Sequence, residues 1–262
     1  MYNTLKINDL KWVYGITALV LMTGCAECSS SGRRRLAQEK NQSTVLKSTD
    51  DTRNRAGNSA PTSVETAPQP ALSANPTRSD IVAYAEPCVF LVYTLVDNQV
   101  VGQGTGFFIG ENMGVSNHHV FAPGTEWAIE TTDKQQYRVS EVTKSSADYD
   151  HVVFRVETEG RKMPFLKLAN TTPRKGEEIM VLGNPKGLES TVTRGIISAI
   201  RPQNNADDLL QIDAAISPGS SGSPVLNMHG EVVGIATKKI LDCENCNFAY
   251  NIRLILQKTP PQ

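Results

Sequence analysis

Residues 213–224 constrain the fold and chemistry of this chain more than any other segment; they read DAAISPGSSGSP. Gly219 and Gly222 can adopt backbone dihedral angles that other residues avoid, so the segment predicts a tight loop. In such a loop the amides of Gly219 and Ser221 point toward one spot, where they can stabilise an oxyanion. The loop also presents the hydroxyl of Ser221, which is therefore the candidate nucleophile.

Three neighbouring serines compete with Ser221 for this role, but only Ser221 has glycine two residues before it and one residue after it. The competing serines are Ser217, Ser220 and Ser223.

A serine nucleophile requires a general base, and the base requires an acid that orients it. Upstream of the loop, His119 lies in the segment GVSNHHV and Asp150 opens the segment DHVVFRV. Asp150 directly precedes an apolar strand, so it is the residue expected to be buried beside an imidazole. Asp148 is the alternative acid, and we interpret it as a turn residue.

These segments resemble the trypsin-like serine proteases, and among them the bacterial HtrA/Deg-type enzymes. The order His, Asp, Ser is the chymotrypsin order. GVSNHHV resembles their TNxHV segment, DHVVFRV resembles DLAVLKV, and GSSGSP resembles GxSGGP. GTGFFI, LGNPKGL and TVTRGIIS, at residues 104–109, 182–188 and 191–198, extend the resemblance in collinear order over about residues 86–255.

The resemblance implies a triad in which His119 is the base, because the motif places the base directly before Val120. His118 is the alternative base. The oxyanion hole is expected from the amides of Gly219 and Ser221, with help from Ser220. No metal and no organic cofactor are expected in this chemistry.

Aligning the chain with the family on Ser221 implies a primary specificity pocket. Ala215 is expected at its base with Ile216 beside it, Ala236 in its wall, Thr237 at its rim and Lys238 along the peptide-binding edge. No carboxylate lies at the base and no histidine at position 236, so we expect neither Arg/Lys nor Glu specificity. A small or medium apolar residue is expected before the cleaved bond, with loose selectivity.

The first 25 residues have the pattern of an export signal. Lys6 and Lys11 precede an apolar run at residues 12–22 that is too short to span a bilayer. The run ends in LMTGC, which resembles a bacterial lipobox with Cys25 as the lipidated residue. A cleaved signal peptide without lipid and an uncleaved anchor remain the alternatives.

Residues 26–80 have no apolar periodicity and are rich in Ser, Thr, Asn, Arg, Ala and Pro, so we predict a disordered tether. The domain organisation is thus a signal at 1–25, a tether at 26–80 and a trypsin-like protease domain at 81–262. The expected location is the bacterial cell envelope, anchored by lipid and facing the periplasm or the exterior.

Short β-type runs separated by turn residues predict an all-β fold of two antiparallel six-stranded barrels with a short C-terminal helix. The barrel pair itself is implied by the resemblance. The first barrel is expected to contain strands at 89–96, 104–109, 127–131, 137–142 and 152–156. The second is expected to contain strands at 178–182, 191–200, 209–212, 224–227, 232–239 and 248–251, followed by a helix at 253–258.

The pair Cys243 and Cys246 favours a disulfide in an oxidising compartment over a redox motif or a zinc site. Cys88 is expected to be buried and free, and Cys28 lies in the tether.

The net charge of −1 gives no reason to expect a nucleic-acid partner. The expected partners are protein or peptide substrates and the membrane reached through the lipid. HtrA-type enzymes are commonly trimers, and residues 71–86 are the candidate segment for the contact between subunits. The family often carries PDZ domains after the protease, and we expect none within these 262 residues. Two other functions stay open: a catalytically dormant protease-fold binding protein, and an esterase.

Overall fold

A computed structural model describes residue 69 and residues 71–183, 191–203, 206–239 and 246–257. The predicted all-β class is confirmed, because the strands close into two six-stranded antiparallel barrels. The first barrel, in the order β1-β2-β3-β6-β5-β4, comprises β1 (Val89–Val96), β2 (Gln99–Gly110), β3 (Met113–Ser116), β4 (Glu126–Thr131), β5 (Gln136–Ser146) and β6 (His151–Val156).

The second barrel closes in the order β10-β11-β12-β9-β8-β7. Its strands are β7 (Glu178–Gly183), β8 (Thr191–Gln203), β9 (Ala206–Ile212), β10 (Pro224–Asn227), β11 (Val232–Lys239) and β12 (Asn247–Asn251). The described helices are α1 (Arg78–Ala85), α2 (His118–Phe121) and α3 (Arg253–Gln257), with a 3₁₀ turn at Glu86–Cys88. Of these helices, none has both the length and the apolar character needed to cross a bilayer.

Strand β3 was missing from the sequence prediction. Its four residues, MGVS, are too few to show an alternating pattern, and glycine is a poor strand former in isolation. Packing explains the glycine, because a Cβ atom at Gly114 would lie 2.7 Å from the ring of Phe154. The close approach of the neighbouring strand therefore requires a residue that weakens the sequence signal.

Helix α1 shows that the predicted boundary of the folded domain at residue 81 is too late. The Thr77 hydroxyl accepts a hydrogen bond from the Asp80 amide at 3.2 Å, and the Asp80 carboxylate accepts one from the Thr77 amide at 2.9 Å. This reciprocal capping box stabilises the start of the helix. Further upstream, Gln69 Nε2 donates to the carbonyl oxygen of Tyr84 at 3.2 Å.

Among the described residues the apolar core has three parts, one inside each barrel and one between the barrels. The interior of the first barrel is aromatic: the ring centroids of Phe90 and Phe108 are 4.6 Å apart, and those of Phe121 and Phe154 are 4.9 Å apart. The second barrel is filled by aliphatic side chains and alanines. The third part joins α1 to both barrels, and it includes Ile81, Phe107, Val153, Met180, Leu182 and Leu226.

We expect the substitution Phe154→Ala to lower the free energy of unfolding by about 3–5 kcal/mol, because it leaves a cavity in a rigid aromatic core. Phe154 is fully buried. The matched control is Phe165→Ala, since Phe165 is 40% exposed and should change stability little. Urea unfolding followed by circular dichroism measures both; equal losses for the two variants would contradict the packing described.

His151, the first residue of β6, is 2% exposed, and its Nε2 atom has no hydrogen-bond partner within the described residues. Burial lowers the pKa of His151 from 6.5 to about 4, and the nearby charge of Lys144 acts in the same direction. The folded protein therefore holds this imidazole in its neutral form well below the pH at which the unfolded chain protonates it.

We expect stability to fall as the pH drops from 6.5 toward 4, because over this range the unfolded chain binds a proton that the native His151 does not. Above pH 6.5 this contribution is fully present. His151→Leu should make the fall shallower, measured as urea midpoints at about pH 7.5 and about pH 4.5. The exposed His229, changed to Gln, is the control; an unaltered slope in His151→Leu would refute this assignment.

Candidate active site

The predicted nucleophile loop has the glycine conformations that its sequence suggested. The φ angles of Gly219 and Gly222 are +97° and +89°, in the region that side chains disfavour. A Cβ atom on Gly222 would lie 1.9 Å from the carbonyl oxygen of Thr105. Glycine is thus needed both for the turn and for the contact between the loop and the first barrel.

Thr105, on β2 of the first barrel, holds this loop by two hydrogen bonds. Its amide donates to the carbonyl oxygen of Ser221 at 2.8 Å, and its hydroxyl donates to that of Gly219 at 2.7 Å. The carbonyl oxygen of Ser220 accepts from the Ser223 amide at 3.0 Å. Because N–H and C=O of a trans peptide point in opposite directions, the Ser221 amide is turned away from Ser223.

Two backbone amides of the loop are available to a ligand. Neither Gly219 N nor Ser221 N donates a hydrogen bond to any residue in the described ranges. The amide of Ser220 is different, since it donates to the carbonyl oxygen of Ser217 at 2.8 Å. The expected help from Ser220 is therefore corrected: its amide is already used, and the candidate oxyanion hole consists of Gly219 and Ser221.

His119 and Asp150 are joined by two hydrogen bonds. The Nδ1 atom of His119 lies 2.8 Å from Asp150 Oδ2, and the His119 amide donates to Asp150 Oδ1 at 2.9 Å. The His119 side chain is 50% exposed and that of Asp150 is 16% exposed. His119 Nε2 forms no hydrogen bond with a described residue, so it is free to exchange a proton with a ligand.

Asp150 has an unusual backbone and three supporting side chains. Its φ angle is +44°, and Asn117 Nδ2 donates to its carbonyl oxygen at 2.7 Å. The Thr237 hydroxyl donates to its Oδ2 atom. Burial raises the pKa of Asp150, but the hydrogen bonds from His119 and Thr237 outweigh it and hold the pKa below 3.8. The carboxylate is thus ionised at neutral pH.

The Ser221 hydroxyl contacts Thr237, which in turn contacts Asp150. Ser221 Oγ donates to the carbonyl oxygen of Thr237 at 3.2 Å. Within the described part of the chain, no hydrogen bond joins Ser221 Oγ to the ring of His119. Transfer of its proton to His119 Nε2 therefore requires the hydroxyl to give up its hydrogen bond to Thr237.

The alternative base and acid have other partners. His118 Nδ1 lies 2.8 Å from Ser145 Oγ, and the carbonyl oxygen of Asp148 accepts from the Tyr250 hydroxyl at 3.3 Å. Helix α2 explains the difference, because consecutive helical residues point in different directions. Of the two adjacent histidines, His119 is the one that contacts the carboxylate.

The residues predicted for the specificity pocket differ in their exposure and partners. Ala215 is exposed, and its carbonyl oxygen accepts from Thr193 Oγ1 at 2.8 Å. The Ile216 and Ala236 side chains are both buried in the core of the second barrel. The Thr237 side chain is also buried and bonds Asp150 rather than forming a rim. The side chain of Lys238 lies outside the described residues.

The described residues include two of the five cysteines, Cys88 and Cys246. Cys246 is disulfide-bonded, whereas Cys243 and Cys25 lie outside the described residues. Cys88 is buried and free, and burial raises its pKa to about 12. Among the described residues, no three side chains of His, Cys, Asp or Glu converge as a metal site would require.

Sequence reasoning assigned no supporting role to Thr105 or Asn117, and it placed Thr237 elsewhere. Thr105 lies inside GTGFFI and Asn117 lies inside GVSNHHV, and both segments carried the family resemblance. The motifs therefore pointed to these residues but not to their hydrogen-bond partners, which are distant in sequence. Thr105 and Gly219, for example, are 114 positions apart.

The chain is similar to bacterial serine proteases. The chain is 37% identical to a probable periplasmic serine endoprotease DegP-like of Chlamydia trachomatis, over 52% of this chain and 28% of the relative. It is 34% identical to the putative serine protease HhoA of Synechocystis, over 60% of this chain and 42% of the relative. The chain thus spans less than half of the length of these relatives.

A crystal structure of the serine endoprotease from Yersinia pestis matches the fold with a TM-score of 0.61 and 27% identity, covering 70% of this chain and 65% of that one. The sequence model of the trypsin-like peptidase domain matches residues 104–235, which is half of the chain. These matches confirm the resemblance to HtrA/Deg-type proteases, and the chain belongs to the family of trypsin-like peptidase domains.

Proposed function

We propose that this chain is an extracytoplasmic serine endopeptidase that cleaves protein substrates through a triad of His119, Asp150 and Ser221. The observation that carries the proposal is the pair of hydrogen bonds between His119 and Asp150, opposite a loop with two unused amides. The names of the relatives, periplasmic serine endoprotease among them, support the same activity.

In the proposed mechanism, Ser221 Oγ rotates from Thr237 toward His119 and attacks the scissile carbonyl carbon. His119 Nε2 takes the hydroxyl proton, and the amides of Gly219 and Ser221 stabilise the oxyanion. The imidazolium then gives the proton to the leaving amine as the C–N bond breaks, which leaves an acyl-enzyme. Water, deprotonated by His119, releases the acid and restores the serine.

Asp150 has two roles in this mechanism. Its Oδ2 atom accepts from His119 Nδ1, which leaves Nε2 as the base, and its charge stabilises the imidazolium. The hydrogen bonds that lower its pKa keep this charge present at neutral pH. The attacking group and its base thus need no metal or organic cofactor.

The proposal includes a cellular setting and a substrate preference. The N-terminal signal would deliver the domain across a bacterial inner membrane, and a lipid on Cys25 would anchor it, with residues 26 to about 68 as the tether. One of the relatives named above, the protein of Chlamydia trachomatis, is described as probably periplasmic. A small or medium apolar residue would precede the cleaved bond, and trimers would form through the segment that contains α1.

A second candidate function is a catalytically dormant protease-fold binding protein. The hydrogen bond from Ser221 Oγ to the Thr237 carbonyl oxygen favours it, because a nucleophile held on a backbone acceptor is not activated. Cleavage of any peptide by the purified chain would exclude this candidate.

We expect Ser221→Ala to reduce casein cleavage by at least about 10⁴-fold, because the triad acts as a unit. A fluorophosphonate probe should label the wild-type chain and not the variant. Ser217→Ala, an exposed serine in the same loop, is the control and should keep wild-type activity. Labelling of Ser221→Ala, or none of a folded wild type, would refute the proposed mechanism.

We expect Thr237→Val to lower kcat/KM by roughly 10- to 100-fold, since it removes a hydrogen bond to a charged partner worth about 1.5–3 kcal/mol. Thr237→Ser retains the hydroxyl that bonds Asp150 and should stay within about threefold of wild type. Steady-state cleavage of one peptide substrate measures both. Equal activities of the two variants would show that the hydroxyl does not support Asp150.

A further inference from the structure

Asn117 occupies the N-cap position of α2, but its side chain does not cap the helix. Asparagine is among the residues that most favour this position, because its side-chain oxygen can accept from the second or third amide of the helix. Asn117 makes no such hydrogen bond. Its side chain is fully buried, and its Nδ2 atom donates instead to the carbonyl oxygen of Asp150 at 2.7 Å. A residue suited to begin the helix thus holds a different segment.

The capping bond of α2 is supplied by Asp150, which directly precedes β6. Its Oδ1 atom accepts from the amide of His119, the second residue of the helix, at 2.9 Å. This is the bond that the side chain of an N-cap residue normally makes. The Asp150 carboxylate therefore caps the helix that carries His119, while the Asn117 amide holds the backbone of Asp150.

The pairing of β3 with β6 explains why the two residues meet. Ser116, the last residue of β3, pairs with Val152 on β6. Asn117 directly follows Ser116, and Asp150 lies two residues before Val152, so both lie just beyond the paired part of these strands. The Asn117 side chain therefore joins neighbouring segments that are 33 residues apart in the chain.

The backbone of Asp150 requires such support. Its φ angle of +44° lies in the left-handed region, which residues other than glycine rarely adopt. Its own amide donates to the carbonyl oxygen of Ala147 at a long distance of 3.4 Å. Strained conformations of this kind persist where surrounding contacts determine them, and they are frequent at active sites. The hydrogen bond from Asn117 fixes the peptide that follows Asp150, and with it the direction of the carboxylate.

The Asn117 amide satisfies Asp150 at the expense of its own oxygen. The Oδ1 atom is buried and has no hydrogen-bond partner within the described residues. An unpaired buried acceptor costs free energy, so such a group requires an explanation. Turning the amide over would place Oδ1 against the Asp150 carbonyl oxygen and lose the only side-chain hydrogen bond that Asn117 makes to a described residue. The contact with Asp150 thus sets the orientation of this side chain.

We propose that Asn117 is a positioning residue of the triad: by holding the left-handed backbone of Asp150, it directs Oδ2 to His119 Nδ1. The proton of the imidazole then stays on Nδ1, and Nε2 is left free as the base. This inference rests on the proposed function and extends it to a residue that acts through Asp150.

The substitution Asn117→Ser separates positioning from helix capping. Serine is about as good an N-cap residue as asparagine, but its side chain ends too early to reach the Asp150 carbonyl oxygen. We expect kcat for a peptide substrate to fall roughly 10- to 100-fold while KM stays within about twofold, because a displaced base slows the reaction without weakening binding. An unchanged kcat in the folded variant would overturn the proposal.

Asn227→Ser is the matched control for the loss of a buried asparagine. Asn227 is 6% exposed, and its Nδ2 atom donates to Glu231 in the second barrel at 3.1 Å. We expect this variant to lower the urea midpoint and to keep the wild-type kcat. A fall in kcat equal to that of Asn117→Ser would show that any lost asparagine slows the enzyme, and it would overturn the proposal.

Nitrogen NMR of the full chain with ¹⁵N-labelled histidine tests the same contact without turnover. The chemical shifts of a neutral imidazole report which ring nitrogen carries the proton, and comparison with His119→Gln assigns the signals of His119. We expect the Nδ1–H form in the wild type and a mixture of both forms in Asn117→Ser. Retention of the Nδ1–H form in the variant would overturn the proposal.

The two measurements separate this inference from the proposed function. If the wild type cleaves no peptide while Asn117→Ser still moves the His119 proton, the peptidase activity fails and the positioning role holds. If the wild type cleaves and the variant matches it in kcat and in proton position, the activity holds and the role fails. Asn117→Ala is the second variant if serine impairs folding, with the same expected losses; unfolding of both would assign Asn117 to stability and overturn the proposal.

Discussion

The two hydrogen bonds from Thr105 fix the position of the nucleophile loop, which carries Ser221, relative to the first barrel. They fix the carbonyl oxygens of Gly219 and Ser221, and therefore the peptides on either side of the Ser221 amide, which belongs to the proposed oxyanion hole. His119 and Asp150 belong to the barrel that carries Thr105. A displacement of this contact would move Ser221 relative to His119, its proposed base.

The second barrel also supports Asp150, the proposed acid, which lies on the first barrel. Thr237 donates its hydroxyl to Asp150 while its carbonyl oxygen accepts from Ser221, so one residue contacts both ends of the proposed triad. Asn117 holds the strained backbone of Asp150 from the other side. The carboxylate is ionised because the hydrogen bonds from His119 and Thr237, which lower its pKa, outweigh the cost of its burial. Its orientation and its charge are thus consequences of the same contacts.

The residues expected to line the specificity pocket differ from those of the proposed triad, because most of them make no hydrogen bond through their side chains. Ile216 and Ala236, the side chains that alignment placed in it, are part of the barrel core, and the exposed Ala215 offers only a methyl group.

The sequence by itself determined the all-β class and the glycine conformations of the nucleophile loop, because strand alternation and turn chemistry are local properties. The barrel pair and the candidates His119, Asp150 and Ser221 followed from motifs that resemble those of the family. It missed β3, whose Gly114 is set by the Phe154 ring, and it began the domain too late, because the capping box of α1 was not recognised. The tertiary structure alone decided the partners of Thr105, Asn117 and Thr237. These contacts join residues far apart in the chain, and no local pattern encodes which strands will meet.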